Sequence, residues 1–368
     1  MICAYPCYLV TLQTNEFRIE YLHRNVDELL HDLLDAFGAV LIEGPKWCGK
    51  TTTAEQQANS VIKMQDPDMN EEYLVTAETR PSALLQGPVP RLIDEWQDVP
   101  KLWDAVRTTI DNRGEPGQFI LTGSNSVRRE ETQHSGKGRI TRLKMLPMSL
   151  WESKESSGDI SLQRLFDDTV FNIDGIMSPM SINDLIFATC RGGWPSTLKS
   201  RTDRAKLFVA QSYLDSVCKD DISRIDRVSR NEKLARLIIR AYSRNISTLA
   251  QKKTLLADVT TNDNVSCTRP TFDEYVDALE RLFVIQDVEA WCPAIRSKTA
   301  IRSNPKRSFC DPSIAVAALG MTPESLSIQL KTFAFCLSNY ASATYAPTLP
   351  DSGIKSLTTT IAMVWRPI

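Results

Sequence analysis

The sequence predicts an α/β fold in its first half, a parallel sheet with helices on both faces, followed by a mostly helical second half. Short apolar segments at 39–42, 61–64, 90–95, 118–125 and 139–146 have the length of buried strands. Helix-compatible segments separate them, as in consecutive βαβ units. Beyond about residue 150, apolar residues recur mainly at helical spacing.

Composition excludes several classes of protein. The 368 residues suffice for two or three domains. With 43 Lys and Arg against 45 Asp and Glu, the formal charge is -2, so no whole-chain field recruits nucleic acid or anionic lipid. No apolar run approaches the ~18 residues of a spanning helix, and the N-terminus lacks the basic region of a signal peptide. We expect a soluble, cytoplasmic protein without a membrane partner and, with scattered cysteines and three histidines, without structural zinc.

The segment 44–51, Gly-Pro-Lys-Trp-Cys-Gly-Lys-Thr, follows the first predicted strand and precedes a helical run. Its spacing fits a P-loop, in which glycines let backbone N–H groups surround a phosphate. Lys50 would reach the β- and γ-phosphates, and the Thr51 hydroxyl would bind Mg²⁺. An ordinary strand-to-helix turn is the alternative. The nucleotide-binding residues predicted here are Gly44, Pro45, Lys46, Trp47, Cys48, Gly49, Lys50, Thr51 and Thr52.

The third predicted strand ends in two acids, Asp94 and Glu95. In a P-loop protein, Asp94 can hold Mg²⁺ and Glu95 can orient and polarise the attacking water as the catalytic base. Two solvated acids at the end of a strand are the common alternative. The P-loop earlier in the chain favours the functional interpretation.

The fourth predicted strand ends in small polar residues, and the fifth carries two arginines. In P-loop ATPases of the additional-strand type, the fourth strand lies between the P-loop strand and the acidic strand, and its polar tip senses the γ-phosphate. Thr122, Ser124 or Asn125 would have this role, although such residues also end strands for conformational reasons. Arg139 and Arg142 are candidates for the catalytic arginine, in cis or towards a neighbouring subunit, with a solvated face as the alternative.

The motifs GPKWCGKT, LIDEWQDVP, FILTGSN, HSGKGRI and LPMSLWES, in this order, resemble a family of bacterial and archaeal AAA-type ATPases. The resemblance covers roughly residues 21–335. It implies an N-terminal ATP-binding module, a C-terminal domain of unknown function, ATP and Mg²⁺ as ligands, and ATP hydrolysis. That family usually continues into a nuclease-like region with a Glu-x-Lys element. No Glu follows Glu324 here, so nuclease activity is not expected.

We divide the chain into an N-terminal arm, a P-loop ATPase domain, a helical linker or lid, a winged-helix-like domain, and an atypical tail that is truncated or disordered. The bounds predicted for these parts are 1–20, 21–150, 151–230, 231–320 and 321–368.

The winged-helix prediction rests on helical patterns near 247–260 and 271–282 and on an apolar strand at 283–285. Such a domain either places a helix in a DNA groove or docks on the ATPase as a lid. A basic stretch comprising Arg296, Lys298, Arg302, Lys306 and Arg307 favours DNA, and a solvated loop is its alternative.

The function expected from these observations is Mg²⁺-dependent hydrolysis of ATP, coupled to a DNA or protein partner through the C-terminal half. Two alternatives stay open: a nucleotide-switched DNA-binding regulator, and a catalytically degenerate nucleotide-binding scaffold. The sequence leaves the oligomeric state undetermined.

Overall fold

The computed structural model describes residues 21–126, 136–160, 172–261, 266–289 and 303–345. The predicted N-terminal arm lies outside the described residues. The last part of the predicted tail, 346–368, lies outside them too, as do Arg296, Lys298 and Arg302 of the predicted basic stretch.

Five parallel strands form one sheet in the order β2-β3-β4-β1-β5. β4 lies between β1 and β3, as expected for the additional-strand type. Because all neighbours are parallel, the carboxyl ends of the strands meet at one edge of the sheet, where ligands of such sheets bind. The strand bounds are β1 Ala39–Glu43, β2 Ser60–Lys63, β3 Arg91–Asp94, β4 Phe119–Gly123 and β5 Ile140–Lys144.

Helices cover both faces of the sheet, as predicted. Side chains alternate along β1, so that Val40 and Ile42 pack with the first two helices while Ala39 and Leu41 pack with the fifth. All four of these strand residues are buried, which requires cover on both sides. The helices of this half are α1 Asp27–Ala36, α2 Lys50–Glu55, α3 Asn70–Thr79, α4 Pro81–Leu84 and α5 Lys101–Arg113.

The second half is helical and has its own apolar core around Trp194, Tyr242, Phe272 and Phe309, all fully buried. Its α-helices are α6 Ile182–Arg191, α7 Pro195–Lys199, α8 Asp203–Ser216, α9 Ile222–Arg224, α10 Glu232–Arg244, α11 Lys252–Thr260, α12 Arg269–Arg281, α13 Pro312–Leu319, α14 Pro323–Ile328 and α15 Leu330–Tyr345. A π-helix, Val217–Asp221, joins α8 to α9.

The strand predicted at 283–285 is not formed. Phe283 has a left-handed backbone with φ 58°, so the chain becomes extended only after it. The extended part makes two isolated antiparallel bridges, Ile285 to Phe309 and Val288 to Lys306. The helices α10 to α12 lie in the predicted region, and the winged helix itself stays a prediction.

The predicted tail is ordered further than we expected. α15 continues past Leu337, and the side chain of Asn339 in it is fully buried. That amide accepts hydrogen bonds from the Ser308 hydroxyl (2.8 Å) and the Phe309 N–H (2.8 Å), and donates one to the Phe309 carbonyl (3.0 Å). These bonds satisfy buried backbone groups, which fixes this part of the helix on the C-terminal core.

Candidate nucleotide site

The loop between β1 and α2 requires its two glycines. A Cβ on Gly44 would lie 1.9 Å from the Met145 carbonyl oxygen, so no other residue fits there. Gly49 has φ 100°, in the left-handed region that favours glycine. α2 begins at the next residue and has no side-chain cap, which leaves its first N–H groups directed at the loop.

Lys50 lies inside this loop. Its side chain is buried, and its ammonium donates to the carbonyl oxygens of Gly44 (3.0 Å) and Pro45 (2.9 Å). Both of these acceptors are neutral, and no carboxylate of the described residues pairs with the ammonium. A buried cation in such surroundings is available to an anion that enters the loop.

Asp94, Thr51 and Thr122 meet at the carboxyl edge of the sheet. One carboxylate oxygen of Asp94 accepts hydrogen bonds from the hydroxyls of Thr51 (2.7 Å) and Thr122 (2.5 Å). Within the described ranges, no group of three or more His, Cys, Asp and Glu side chains could hold a metal. The Thr51 hydroxyl and Asp94 carboxylate nevertheless fit Mg²⁺, which keeps several waters and usually binds proteins through one or two carboxylates and a substrate phosphate.

Glu95 follows Asp94 in a left-handed conformation, with φ 57° and ψ 46°. Its N–H donates to the Thr122 hydroxyl (3.2 Å), and its carboxylate accepts from the Ser124 hydroxyl (2.9 Å) and from the Gln97 amide. Positive φ at a non-glycine residue costs about 1–3 kcal/mol and is common where function needs it. The side-chain bonds therefore hold the Glu95 carboxylate in one position on a strained backbone.

Gln97 was not predicted from the sequence. It lies in a 3₁₀ turn, Trp96–Asp98, directly after Glu95. The only available signal was a polar residue two positions beyond the candidate base, which is too common to be diagnostic.

The phosphate loop opens into a cleft of about 830 Å³, a volume typical of small-molecule sites. Lys46, Trp47, Lys50, Thr51 and Thr52 line one wall. Most of the remaining lining comes from α7 and α8, which lie in the segment 151–230 predicted as a linker or lid, although none of their residues was predicted to line the site. These lining residues are Pro195, Ser196, Ala205, Phe208, Val209 and Ser212.

Two aromatic side chains, Trp47 and Phe208, line this cleft. Trp47 is 47% exposed and Phe208 57% exposed, although both are large apolar residues. The Trp47 ring also meets Tyr213 edge to face at 5.5 Å. Partly exposed aromatic rings beside a phosphate loop provide a surface on which a flat heterocycle can pack.

Cys48 does not face the cleft. Its side chain is fully buried beneath the loop, with Sγ 3.7 Å from the Met145 carbonyl oxygen. The backbone of Cys48 is held from below by Arg24, whose guanidinium donates to the Cys48 carbonyl (2.8 Å), to the Leu146 carbonyl (2.7 Å) and to Glu152 (2.9 Å). Arg24 therefore supports the loop, and no motif in the sequence singled it out.

The structure does not bring Arg139 to the site. It precedes β5, at the amino edge of the sheet, and its guanidinium pairs with Asp111 at 2.7 Å. Arg142 is paired with Glu43 at 2.6 Å. Since the phosphate loop follows the carboxyl end of β1, Arg139 of the same chain lies at the wrong end of its strand to act as the catalytic arginine.

Models of two domain families match separate parts of the chain. Residues 36–154 match the model of an AAA domain family, and residues 182–325 match that of a domain of unknown function (DUF8612). A search of curated proteins gave no significant match. Among solved structures, a Walker-type ATPase of Pyrococcus abyssi is similar at 12% identity and a TM-score of 0.49, over 82% of this chain and 97% of that one.

The described part of the chain contains no helix that is long and apolar enough to cross a membrane. The parallel sheet, its strand order and the two matched domains together establish the class of protein. The chain combines an AAA-type P-loop domain with a C-terminal domain of unknown function.

Proposed function

We propose that this protein is a Mg²⁺-dependent ATPase that converts ATP to ADP and phosphate. The observation that supports this most directly is the cluster at the carboxyl edge of the sheet. There, Asp94 binds the hydroxyls of Thr51 and Thr122, while Glu95 is fixed one residue further by Ser124. A nucleotide-binding scaffold without catalysis has no need for a second carboxylate held on a strained backbone at this place.

Each residue of the site has a defined task in this reaction. Lys50 binds the β- and γ-phosphates, and Thr51 with Asp94 holds Mg²⁺, which neutralises charge that develops on the phosphate oxygens. Glu95 accepts a hydrogen bond from the attacking water and orients it towards the γ-phosphate. Ser124 keeps the Glu95 carboxylate in position, and Thr122 joins the two acidic residues through its hydroxyl.

The nucleoside would occupy the outer part of the cleft. The phosphate loop forms its inner end, and the apolar side chains of Trp47, Phe208 and Val209 lie beyond it. The C-terminal half would therefore contribute to the site through α7 and α8, in the segment 151–230 that was predicted as a linker or lid.

The alternative of a DNA-binding regulator is less well supported. α12 is one of the two helices on which the winged-helix prediction rests, and its exposed face carries Glu274, Asp277 and Glu280. Acids on that face would repel DNA phosphates, on which affinity for DNA mainly depends. Three of the predicted basic residues lie outside the described residues, and the other two, Lys306 and Arg307, are buried.

The decisive experiment measures phosphate release from Mg²⁺–ATP by the purified chain. Lys50→Ala should abolish it, whereas Lys233→Ala, which removes an exposed lysine of α10, should leave it unchanged. Nucleotide binding without hydrolysis in the wild-type protein would favour the degenerate scaffold.

The same assay with duplex DNA tests the regulator. DNA that binds with a log–log salt slope of about 0.9 per phosphate contacted, and that alters turnover, would support it. Turnover unaffected by DNA would leave the lid as the role of the C-terminal half.

A further inference from the structure

Lys46, in the middle of the phosphate loop, is bound to the C-terminal half. Its ammonium lies 2.6 Å from the carboxylate of Asp221, the last residue of the π-helix. The Asp221 side chain is only 5% exposed, whereas that of Lys46 is 39% exposed and lines the cleft. The pair therefore connects a buried acid of one domain to a solvent-accessible cation of the ligand site.

Asp221 depends on this lysine. Its only other hydrogen bond from a described side chain comes from the Ser216 hydroxyl, at 3.3 Å. Removing one partner of a buried ion pair is strongly unfavourable, because the remaining charge is left without compensation. Any ligand that draws Lys46 away must therefore change the environment of Asp221.

A second contact leads from the catalytic edge to the same part of the C-terminal half. Ser126, just beyond Ser124, donates its N–H to the Arg281 carbonyl (2.9 Å), and its own carbonyl accepts from the Arg281 guanidinium (3.2 Å). Arg281 also pairs with Asp226 at 3.6 Å. Segment 217–230, which contains both Asp221 and Asp226, thus contacts the phosphate loop and, through Arg281, the tip of β4.

We propose that Asp221 is a positioning residue for Lys46. We further propose that nucleotide binding breaks the Lys46–Asp221 pair and thereby changes the conformational stability of segment 217–230. Without nucleotide, Asp221 holds Lys46. With nucleotide, Lys46 transfers its charge-assisted hydrogen bond to a phosphate oxygen, and Asp221 is left with Ser216. This inference rests on the proposed nucleotide site and adds the route by which its occupancy reaches the C-terminal domain.

The π-helix makes segment 217–230 suited to this role. π-helical turns are rare and are often found at functional sites. Arg230 closes the far end of the segment through two hydrogen bonds to Asp226, at 2.6 and 2.8 Å, and one to the Ile222 carbonyl. A change at Asp221 therefore acts on a short segment that is fixed at its other end.

The test is a titration of the full chain with Mg²⁺–ADP. Asp221→Asn keeps the size of the side chain and removes the charge that competes for Lys46, so ADP should bind about fivefold more tightly, which corresponds to ~1 kcal/mol. The matched control is Asp220→Asn, which removes the same charge from the neighbouring, exposed position. It should change ADP affinity by less than about twofold.

The double variant Lys46→Met, Asp221→Asn tests whether the gain in ADP affinity requires Lys46 to move from Asp221 to a phosphate, or follows from any loss of negative charge. In a Lys46→Met background there is no ammonium to release, so Asp221→Asn should change ADP affinity by less than about twofold. A full fivefold gain in ADP affinity in that background would contradict the proposed transfer of Lys46 from Asp221 to a phosphate. Weaker or unchanged ADP binding in Asp221→Asn alone would contradict it too. If Lys46→Met does not fold, the comparison of Asp221→Asn with Asp220→Asn decides the question.

Hydrogen exchange gives a readout independent of affinity. Amides of segment 217–230 should exchange faster when wild-type protein binds ADP, and this increase should be absent in Asp221→Asn. Equal exchange with and without ADP in the wild type would contradict the inference. Failure of wild-type protein to bind ADP at all would instead reject the proposed nucleotide site, so the two failures are distinguishable.

Discussion

Both edges of the parallel sheet carry charged residues at strand ends, but only those at the carboxyl edge lie at the candidate site. At the carboxyl edge, Asp94 and Glu95 meet hydroxyls of α2 and β4 and lie beside a glycine-flanked loop. At the amino edge, Arg139 and Asp111 form a half-exposed ion pair, and neither residue lines the cleft at the phosphate loop. A charged residue at the end of a strand therefore does not indicate a functional site until it is known which edge of the sheet that end lies on. Four substitutions test this difference between the two edges.

The largest effect is expected at Glu95. Glu95→Gln removes the base that orients water but keeps the size of the side chain, so turnover should fall by about 10²- to 10⁴-fold while ATP binding persists. Phosphate release and equilibrium nucleotide binding measure the two properties. Glu72→Gln is the matched control, because it makes the same chemical change at an exposed glutamate of α3 that does not line the cleft. Unchanged turnover in Glu95→Gln would remove Glu95 from its catalytic role.

Asp94→Asn should have the next largest effect. The amide oxygen can still accept from Thr51 and Thr122, but the site loses the charge that attracts the cation. The Mg²⁺ concentration for half-maximal hydrolysis should rise by tenfold or more, or about 1.4 kcal/mol per tenfold. The same Mg²⁺ dependence as the wild type would show that Asp94 does not contribute to the metal site.

Ser124→Ala should reduce turnover by about tenfold, because it removes one charge-assisted hydrogen bond from Glu95 and leaves the bond from Gln97. The Michaelis constant for ATP should change little, since Ser124 does not line the cleft. A raised Michaelis constant with unchanged turnover would assign Ser124 to nucleotide binding instead.

The smallest effect is expected at the amino edge. Arg139→Ala breaks a half-exposed ion pair, so the free energy of unfolding should fall by at most about 1 kcal/mol. Turnover should stay within about twofold of the wild-type value. A large loss of turnover would require Arg139 to act on the site of a neighbouring subunit, and mixing Arg139→Ala with Glu95→Gln protein would then restore activity.

The sequence allowed the catalytic edge to be predicted because its signals are local. A glycine with no room for Cβ, the lysine and threonine that begin a helix, and two acids that end an apolar strand occupy fixed offsets in the chain. The βαβ pattern predicted parallel strands, and the pattern of additional-strand P-loop ATPases predicted that the fourth strand lies between the first and the third. Together they place Thr51, Asp94 and Thr122 at one edge, where the structure has them.

The sequence failed where the partner is distant in the chain. Arg24 and Glu152 form a buried pair beneath the phosphate loop, and Lys46 pairs with Asp221. Neither pairing has a sequence offset that a motif could encode. Arg139 was wrongly predicted to lie at the site for a related reason. The alternation of apolar and polar residues predicted the fifth strand correctly. It did not show that Arg139 lies just before the first paired residue of that strand, Ile140, and therefore at the amino edge.

By itself, the sequence determined that this chain has a P-loop, an acidic strand and a helical second half, because backbone geometry and hydrophobic periodicity act over a few residues. Only the tertiary structure decided that Phe208 and Trp47 line the same cleft and that Asp221 binds the phosphate loop. Those contacts depend on how the apolar cores of the two halves pack against each other. The free energy of that packing is spread over many side chains and is encoded in no single segment.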